Sequence, residues 1–291
     1  MSTNDTIREQ IRSDYASVAT TGGCCAGACG VTESIDAAFL AKQIGYTKEE
    51  LEALPSDANM GLSCGNPTVI AALKEGETVL DLGSGGGFDI FLAGPKVGKS
   101  GKAIGIDMTH EMITKARKNI GQYRESTGLD NVEFRLGEIE HLPVADNSVD
   151  VVISNCVLNL SLDKQQVWNE IARVLKPGGR VAVSDIALLK PLPAEVKSIV
   201  ESWAGCIAGA IVVEEMREQM GNAGLKDISL TPRPHYVEAL VAANDPLYAK
   251  VTELLSDGKS ASDVITSLDI EATRPTDGSD ECGYSEGCCS R

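Results

Sequence analysis

The chain has 291 residues, 43% of them apolar and 4% aromatic, with a formal net charge of −16. That length can bury one sizeable core and a smaller appended region, and the composition is that of a globular protein. The acidic balance argues against nucleic acid and anionic membrane surfaces as partners and favours a neutral or cationic small molecule.

The opening stretch MSTNDTIREQIRSDYASV carries charges throughout and has no apolar core. It does not read as a secretory signal, and no segment approaches the roughly 20 apolar residues of a membrane helix, so a cytoplasmic location is expected. In that reducing compartment nine cysteines are not a static disulfide framework. With three histidines and no C-x-x-C spacing, a structural zinc site is a weak reading.

Ile7, Ile11, Tyr15 and Val18 recur at helical spacing and predict an amphipathic first helix. TTGGCCAGACG (Thr20 to Gly30) is a glycine- and cysteine-rich loop. A polar helical stretch then runs to Pro55, and a second loop, Ser56 to Pro67, carries Cys64. Pro67 suits the first turn of a short helix through Leu73. From Thr78 strands and helices alternate, the signature of a parallel sheet. The strands are Thr78–Leu82, Lys102–Asp107, Val132–Leu136, Val149–Ser154 and Arg180–Ile186. Between them lie a helix ending near Gly94, a helix with Met112, Ala116, Ile120 and Tyr123 on one face, and a helix over Lys164–Val174. KPGG (Lys176 to Gly179) turns the chain into the fifth strand. Beyond Pro191 and Pro193 come a helical segment with Trp203 and Cys206 and a second helix, Val213 to Gly224. The rest mixes a few strands with one helix and closes in a flexible tail, Arg274 to Arg291. Three regions are expected: 1–66, a helical cap with cysteine loops; 67–187, the ligand-binding sheet; and 188–291, a substrate-binding and C-terminal region.

In an open parallel sheet, ligands bind beyond the carboxyl ends of the strands. VLDLGSGGGFD (Val79 to Asp89) ends a strand in a glycine turn, where Gly83, Gly85, Gly86 and Gly87 permit positive φ and close approach of a ligand. A dinucleotide fingerprint starting at Gly83 needs a sixth-position glycine, but Phe88 stands there. With Asp107 ending the second strand, where a carboxylate can accept ribose hydroxyls, a nucleoside ligand without pyrophosphate is expected. VVISNCVLNLS (Val151 to Ser161) ends another strand and points Cys156 at the same crevice.

Together Asp81-x-Gly83-x-Gly85-x-Gly87, GIDMT, GEIEHLP (Gly137 to Pro143), DNSVDVV and LKPGG resemble the class I S-adenosylmethionine methyltransferases over residues 67 to 187. The resemblance implies an α/β fold: a doubly wound, mostly parallel Rossmann-like sheet with a smaller C-terminal α+β region. It places Asp81 near the methionine amino group, with Gly83, Ser84 and Gly85 along the methionine and ribose. Asp107 would hold the ribose, Met108 would pack on the adenine, Glu138 and Ile139 would contact the adenine, and Asn155 would lie beside the sulfonium. S-adenosylmethionine is then the cofactor, and no metal cofactor is expected.

NMGLSCGNP around Cys64, ISNCVLNLS around Cys156 and ESWAGCIAGA around Cys206 resemble arsenite S-adenosylmethionine methyltransferases, over residues 5 to 235. That resemblance implies that Cys156 and Cys206 hold trivalent arsenic, and that Cys64 shares in binding it or in a disulfide. Cys24, Cys25 and Cys29 are all candidates for the redox partner of Cys64, and Cys29 is counted with Cys64, Cys156 and Cys206 among the catalytic thiols. The implied partners are arsenite, methylarsenite and a reductant, thioredoxin or a small thiol. Tail residues Cys282, Cys288 and Cys289 either capture metalloid and pass it inward or have no essential role. His141 reads as a surface loop residue more readily than as a base. Two rival readings are a methyltransferase for a small organic acceptor of quinone or sterol type, and a non-catalytic metalloid-binding protein. Activity surviving Cys156→Ser with Cys206→Ser would favour the first, and failure to bind the cofactor the second.

Overall fold

The computed structural model describes residues 3–21, 41–42, 44–55, 57–197, 207–243, 245–255 and 258–276. The loop with Cys24, Cys25 and Cys29, the segment with Trp203 and Cys206, and the tail with Cys282, Cys288 and Cys289 therefore lie outside the described residues. Among those described, no helix is long and apolar enough to cross a membrane.

Seven strands form one sheet: β1 (Thr78–Leu82), β2 (Lys102–Asp107), β3 (Val132–Leu136), β4 (Val149–Asn155), β5 (Leu175–Leu188), β6 (Lys226–Arg233) and β7 (Ile265–Thr273), in the order β3-β2-β1-β4-β5-β7-β6. The first five are parallel, and β7 runs antiparallel between β5 and β6. Nearly every residue of β1, β2 and β4 is buried, as expected of central strands covered on both faces. Neighbours along each strand face opposite sides. Leu80, Ile104, Val152 and Val183 pack on one side against Trp168 and Ile171 of α6 (Lys164–Val174) and Met216 and Met220 of α7 (Val213–Asn222). Val79, Ala103, Val151 and Ala182 pack on the other, against Phe91 of α4 (Phe88–Val97) and Ile113 and Tyr123 of α5 (His110–Thr127).

Local signals set the remaining helix ends. Thr47 and Glu50 close a reciprocal capping box on α2 (Lys48–Ala53), with Glu50 N donating to Thr47 Oγ1 at 3.1 Å and Thr47 N to Glu50 Oε2 at 3.0 Å. Asn66 caps α3 (Pro67–Ile70) by accepting from Val69 N at 3.1 Å. The amphipathic first helix is α1 (Thr3–Thr21).

Two features differ from the sequence reading. KPGG does not precede the fifth strand but lies inside it: Leu175 pairs with Val149 and Arg180 with Val151, so the intervening residues bulge out, with Gly178 at φ +79°. Residues beyond Leu188 also return to the sheet, as β7 on the free edge of β5 and β6 beyond it, with two helices, α8 (His235–Ala242) and α9 (Pro246–Leu254), in place of one. These C-terminal elements build a third apolar cluster, in which Ile186, Leu188, Val237, Leu240, Tyr248 and Val251 surround Cys64 and Cys156.

Gly105 marks how tightly the sheet is packed under the glycine turn: a Cβ there would stand 2.6 Å from Ser84 Oγ and 2.7 Å from Phe134 Cδ1. Gly105→Ala is expected to cost about 1–3 kcal/mol of stability, the usual penalty of overpacking, read as a lower urea midpoint with an unchanged m-value.

Candidate active site

The chain reverses its order in the sheet between β1 and β4, and at such a switch point the carboxyl ends of two strands diverge and leave a crevice. The glycine turn fills one side. Gly83 N and Ser84 N both donate to Ile106 O, at 2.8 and 2.9 Å, which fastens the turn to β2. Gly83, Gly85 and Gly87 have φ of +72°, +50° and +93°, and a Cβ at Gly83 would collide with Val157. Only glycine meets both demands there. The crevice opens into a cleft of about 1050 Å³, its mouth included.

Asp81, Gly83, Ser84, Gly85, Asp107, Met108, Ile139, Asn155 and Cys156 all line this one cleft. Glu138 is not among the lining residues: its carboxylate accepts from Arg12 Nη2 of α1 at 3.1 Å. His141 is exposed and outside the lining. The sequence reading missed the contribution of α1, whose Arg8, Ile11 and Tyr15 face the cleft while Arg8 approaches Glu140 at 3.9 Å. Helical spacing gave α1 an apolar face without indicating what it covers.

Three carboxylates are buried within the cleft wall: Asp81 is 2% exposed, Asp89 4% and Asp107 9%. Their partners differ. Asp107 accepts from Gly85 N at 2.9 Å and Thr109 N at 2.8 Å, so the strand end and the glycine turn hold each other. Burial raises its pKa, and these two N–H donors oppose the rise. Asp89, also missed, accepts from Tyr46 Oη at 2.6 Å and from Asn155 Nδ2 at 3.2 Å. Burial pushes its pKa up to about 6 against those two hydrogen bonds. The available signal was an acidic residue in the first turn of the helix that follows the glycine loop. No donor among the described residues reaches the Asp81 carboxylate, and burial, with Asp89 and Asp107 nearby, raises its pKa well above the ordinary value. Ser84 Oγ is likewise buried with no hydrogen-bond partner. A carboxyl and a hydroxyl on a cleft wall, neither with a hydrogen-bond partner among the described residues, suit a ligand that brings a cation and hydrogen-bonding groups of its own.

The second wall is sulfur. Cys64 and Cys156 form a disulfide across 92 residues of chain, with Cα atoms 6.0 Å apart. Here Cys64 is bonded to Cys156, while the three loop cysteines offered as its redox partner lie outside the described residues. Backbone anchoring brings the bonded pair together. Cys156 N donates to Ser184 O at 2.8 Å, and Cys64 Sγ lies 3.6 Å from that same carbonyl. Cys64 N donates to Asn155 Oδ1 at 3.0 Å, and Cys64 O accepts from Ser267 Oγ at 2.8 Å. Gly65 lies so close to Ser184 that a Cβ would collide with it. Cys156 itself takes a left-handed φ of +57°, an uncommon conformation for a non-glycine residue. Asp185, wholly buried, places a carboxylate oxygen within 4.8 Å of both sulfurs. It accepts from Ile186 N at 2.7 Å, Asn159 Nδ2 at 2.9 Å and Asn159 N at 3.3 Å, which fixes the turn following Cys156. Burial pushes its pKa up to about 7.

A methyltransferase domain model matches residues 73–253. An arsenite methyltransferase of Halobacterium salinarum is 43% identical over 279 residues, which are 92% of this chain and 66% of that protein. An arsenite methyltransferase of Mus musculus is 37% identical over 177 residues, 59% of this chain and 46% of that one. The chain thus spans less than two thirds of the length of these relatives. Among solved structures, an arsenic(III) S-adenosylmethionine methyltransferase from Chlamydomonas reinhardtii matches with a TM-score of 0.59 at 28% identity, over 84% of this chain and 76% of that one. A phosphoethanolamine N-methyltransferase of Haemonchus contortus, solved with S-adenosylhomocysteine, matches at 0.58 and 18% identity over 83% and 61%, a likeness of fold alone. The domain match covers well over half of the chain, which therefore belongs to the methyltransferase domain family.

Proposed function

We propose that the chain transfers methyl groups from S-adenosylmethionine to trivalent arsenic held on thiolates. The observation that carries this reading is the buried sulfur pair: Cys156 lines the cleft that begins at the glycine turn, and Cys64 is bonded to it behind that wall. The relatives named as arsenite methyltransferases support it.

The cleft fits the cofactor. Asp81, without a donor of its own, would take the methionine ammonium, and Asp107 would present its carboxylate to the ribose hydroxyls. Met108 and Ile139 offer apolar walls for the adenine, and Ser84 Oγ a further hydrogen bond. Bound there, the sulfonium supplies an electrophilic methyl group. The thiols supply the rest. Each thiol that exchanges with a hydroxide on arsenic releases one water, its proton leaving with the hydroxide. Soft sulfur ligands keep the metalloid trivalent and neutral, with its lone pair available to attack carbon. Methylation raises arsenic formally to the pentavalent state, and two thiols return the two electrons by closing a disulfide such as Cys64–Cys156. An external reductant, thioredoxin or a small thiol, then reopens it. Such a cycle belongs in the cytoplasm, where thiols are kept reduced.

The test is to incubate the protein with arsenite, S-adenosylmethionine and a dithiol and to separate the arsenic species. Methylated arsenic is expected from the wild type. Cys156→Ser and Cys206→Ser should each lower it more than about 100-fold, beyond what loss of a merely supporting contact costs. A folded protein that binds the cofactor and yields no methylated arsenic would overturn the reading and leave an organic acceptor.

The buried carboxylates give a second expectation. A raised carboxyl pKa means that the fold prefers the neutral form, so the contribution of Asp89 to stability is full at low pH and lost as pH rises through about 6. A cationic cofactor beside ionised Asp81 and Asp89 offsets that loss. The gain in Tm from S-adenosylmethionine should therefore be larger at about pH 8 than at about pH 5, and the difference smaller for S-adenosylhomocysteine, which lacks the sulfonium charge. Equal gains at both pH values would remove the carboxylates from cofactor binding.

A further inference from the structure

Asn155 stands where the two halves of the site meet, and the direction of its amide is fixed by its neighbours. Its nitrogen donates to Gly65 O at 2.9 Å and to Asp89 Oδ2 at 3.2 Å, and lies 3.3 Å from Tyr46 Oη. A peptide carbonyl and a carboxylate only accept, so the NH₂ end must face them. The oxygen is thereby turned to the other side, where it accepts from Cys64 N at 3.0 Å. Asp89 is in turn held by Tyr46, whose hydroxyl donates to Oδ1 at 2.6 Å and whose ring packs edge-on against Phe88 at 4.8 Å. Asp89 and Phe88 begin α4 directly after the glycine turn, and both line the cleft. A continuous set of contacts thus runs from the cofactor turn through Asp89 and Asn155 to the backbone of Cys64.

The sulfur pair touches Asn155 twice, through the peptide bond to Cys156 and through the hydrogen bond from Cys64. Opening the disulfide requires the two sulfurs to separate from bonding distance to van der Waals contact. Both cysteines are tied to the main chain of the site, Cys156 N to Ser184 O and Cys64 N to Asn155 Oδ1, so separating the sulfurs loads the hydrogen bond between Cys64 and Asn155.

We propose that Asp89 is a positioning residue which, through Asn155, links occupancy of the cofactor cleft to the redox state of the Cys64–Cys156 pair. The proposal takes from the proposed function only that the cleft binds S-adenosylmethionine, and it is independent of arsenic. Linkage is reciprocal: if reduction changes cofactor affinity, the cofactor changes the midpoint potential of the pair by the same free energy. In an enzyme that must return to its dithiol state, this arrangement couples cofactor exchange to readiness of the thiols.

The experiment measures the Kd of S-adenosylmethionine by calorimetry for the full chain, oxidised and after reduction with a dithiol, which leaves two thiols and the cyclic disulfide of the reductant. In parallel, alkylation and peptide mapping in redox buffers give the potential of the pair with and without S-adenosylmethionine. The wild-type affinities should differ by at least about 5-fold, equivalent to a shift of about 20 mV in the two-electron potential. In Asp89→Asn, which removes the carboxylate that accepts from Asn155 Nδ2 and leaves Gly65 O to hold the amide alone, the ratio should fall to within about 2-fold and the potential of the cofactor-free pair should move. Tyr46→Phe, which keeps the carboxylate and removes only a hydroxyl, is the milder variant and should lower the ratio while the melting curve stays cooperative. Equal wild-type affinities in the two redox states would overturn the proposal, as would a full ratio retained in both variants. Because neither readout contains arsenic, a failure here is distinct from a failure to methylate arsenite.

Discussion

The parallel pairing of β1 with β4 is the contact on which the site depends. The two strands run in register from Val79 opposite Val151 to Leu82 opposite Ser154, and Ser154 Oγ donates to Leu82 O at 2.9 Å where they part. Past that point one chain turns into glycines and the other into Asn155 and Cys156. Because register in a sheet changes side-chain facing with every residue, a slip of one position would turn Asn155 away from Asp89 and Cys156 away from the cleft. The nearly continuous burial of both strands makes such a slip expensive, and the precision of the site is inherited from the packing beneath it.

Around that junction the protein concentrates charge where it is least solvated. Asp81, Asp89, Asp107 and Asp185 are all buried, and burial is the largest influence raising the pKa of each. Structural carboxylates elsewhere in the chain behave differently: Glu77 bonds to Arg180 at 2.7 Å and Glu133 to Arg135 at 2.7 Å, and each is held below its ordinary range. Among the described residues no arginine or lysine pairs with these four aspartates. A fold that neutralises its acids with arginine elsewhere, yet leaves these to hydroxyl, amide and backbone donors, holds its site in a state that a cationic ligand relieves.

The central strands could be located from sequence because burial on both faces makes them near-continuous apolar runs, and the glycine turn because positive φ restricts the residue type. The lining residues Asp81, Asp107 and Asn155 follow from their places at strand ends. β6 and β7 were harder to place: β6 is half-exposed, and nothing local says that the chain returns to the edge of β5. The contacts that define the site are likewise non-local. Tyr46 meets Asp89 across 43 positions and Cys64 meets Cys156 across 92, distances over which spacing rules carry no information. Glu138 shows the converse limit: its position was read from a motif, but Arg12 of α1, 126 positions away, claims its carboxylate.

A fold of this kind hosts many chemistries, so the choice of acceptor must come from what is added to it. Here the addition is the C-terminal extension of the sheet. β5 continues to Leu188, β7 pairs along it from Arg180 to Leu188, and Ser184 and Ser267 on these paired strands hold the main chain at Cys156 and Cys64 respectively. The helices after β6 close an apolar cluster over the two sulfurs, and Asp185 fixes the turn between Cys156 and Asn159. In a cleft that needed only to hold a nucleoside, the Cys64 loop would have no reason to lie against β5 so closely that Gly65 excludes a side chain. The close approach holds the sulfur pair at a fixed place relative to the strand ends that form the cleft. The sulfur pair is therefore held by segments far apart in the chain, around Asn155, Ser184 and Ser267, and its position is as closely specified as that of the glycine turn.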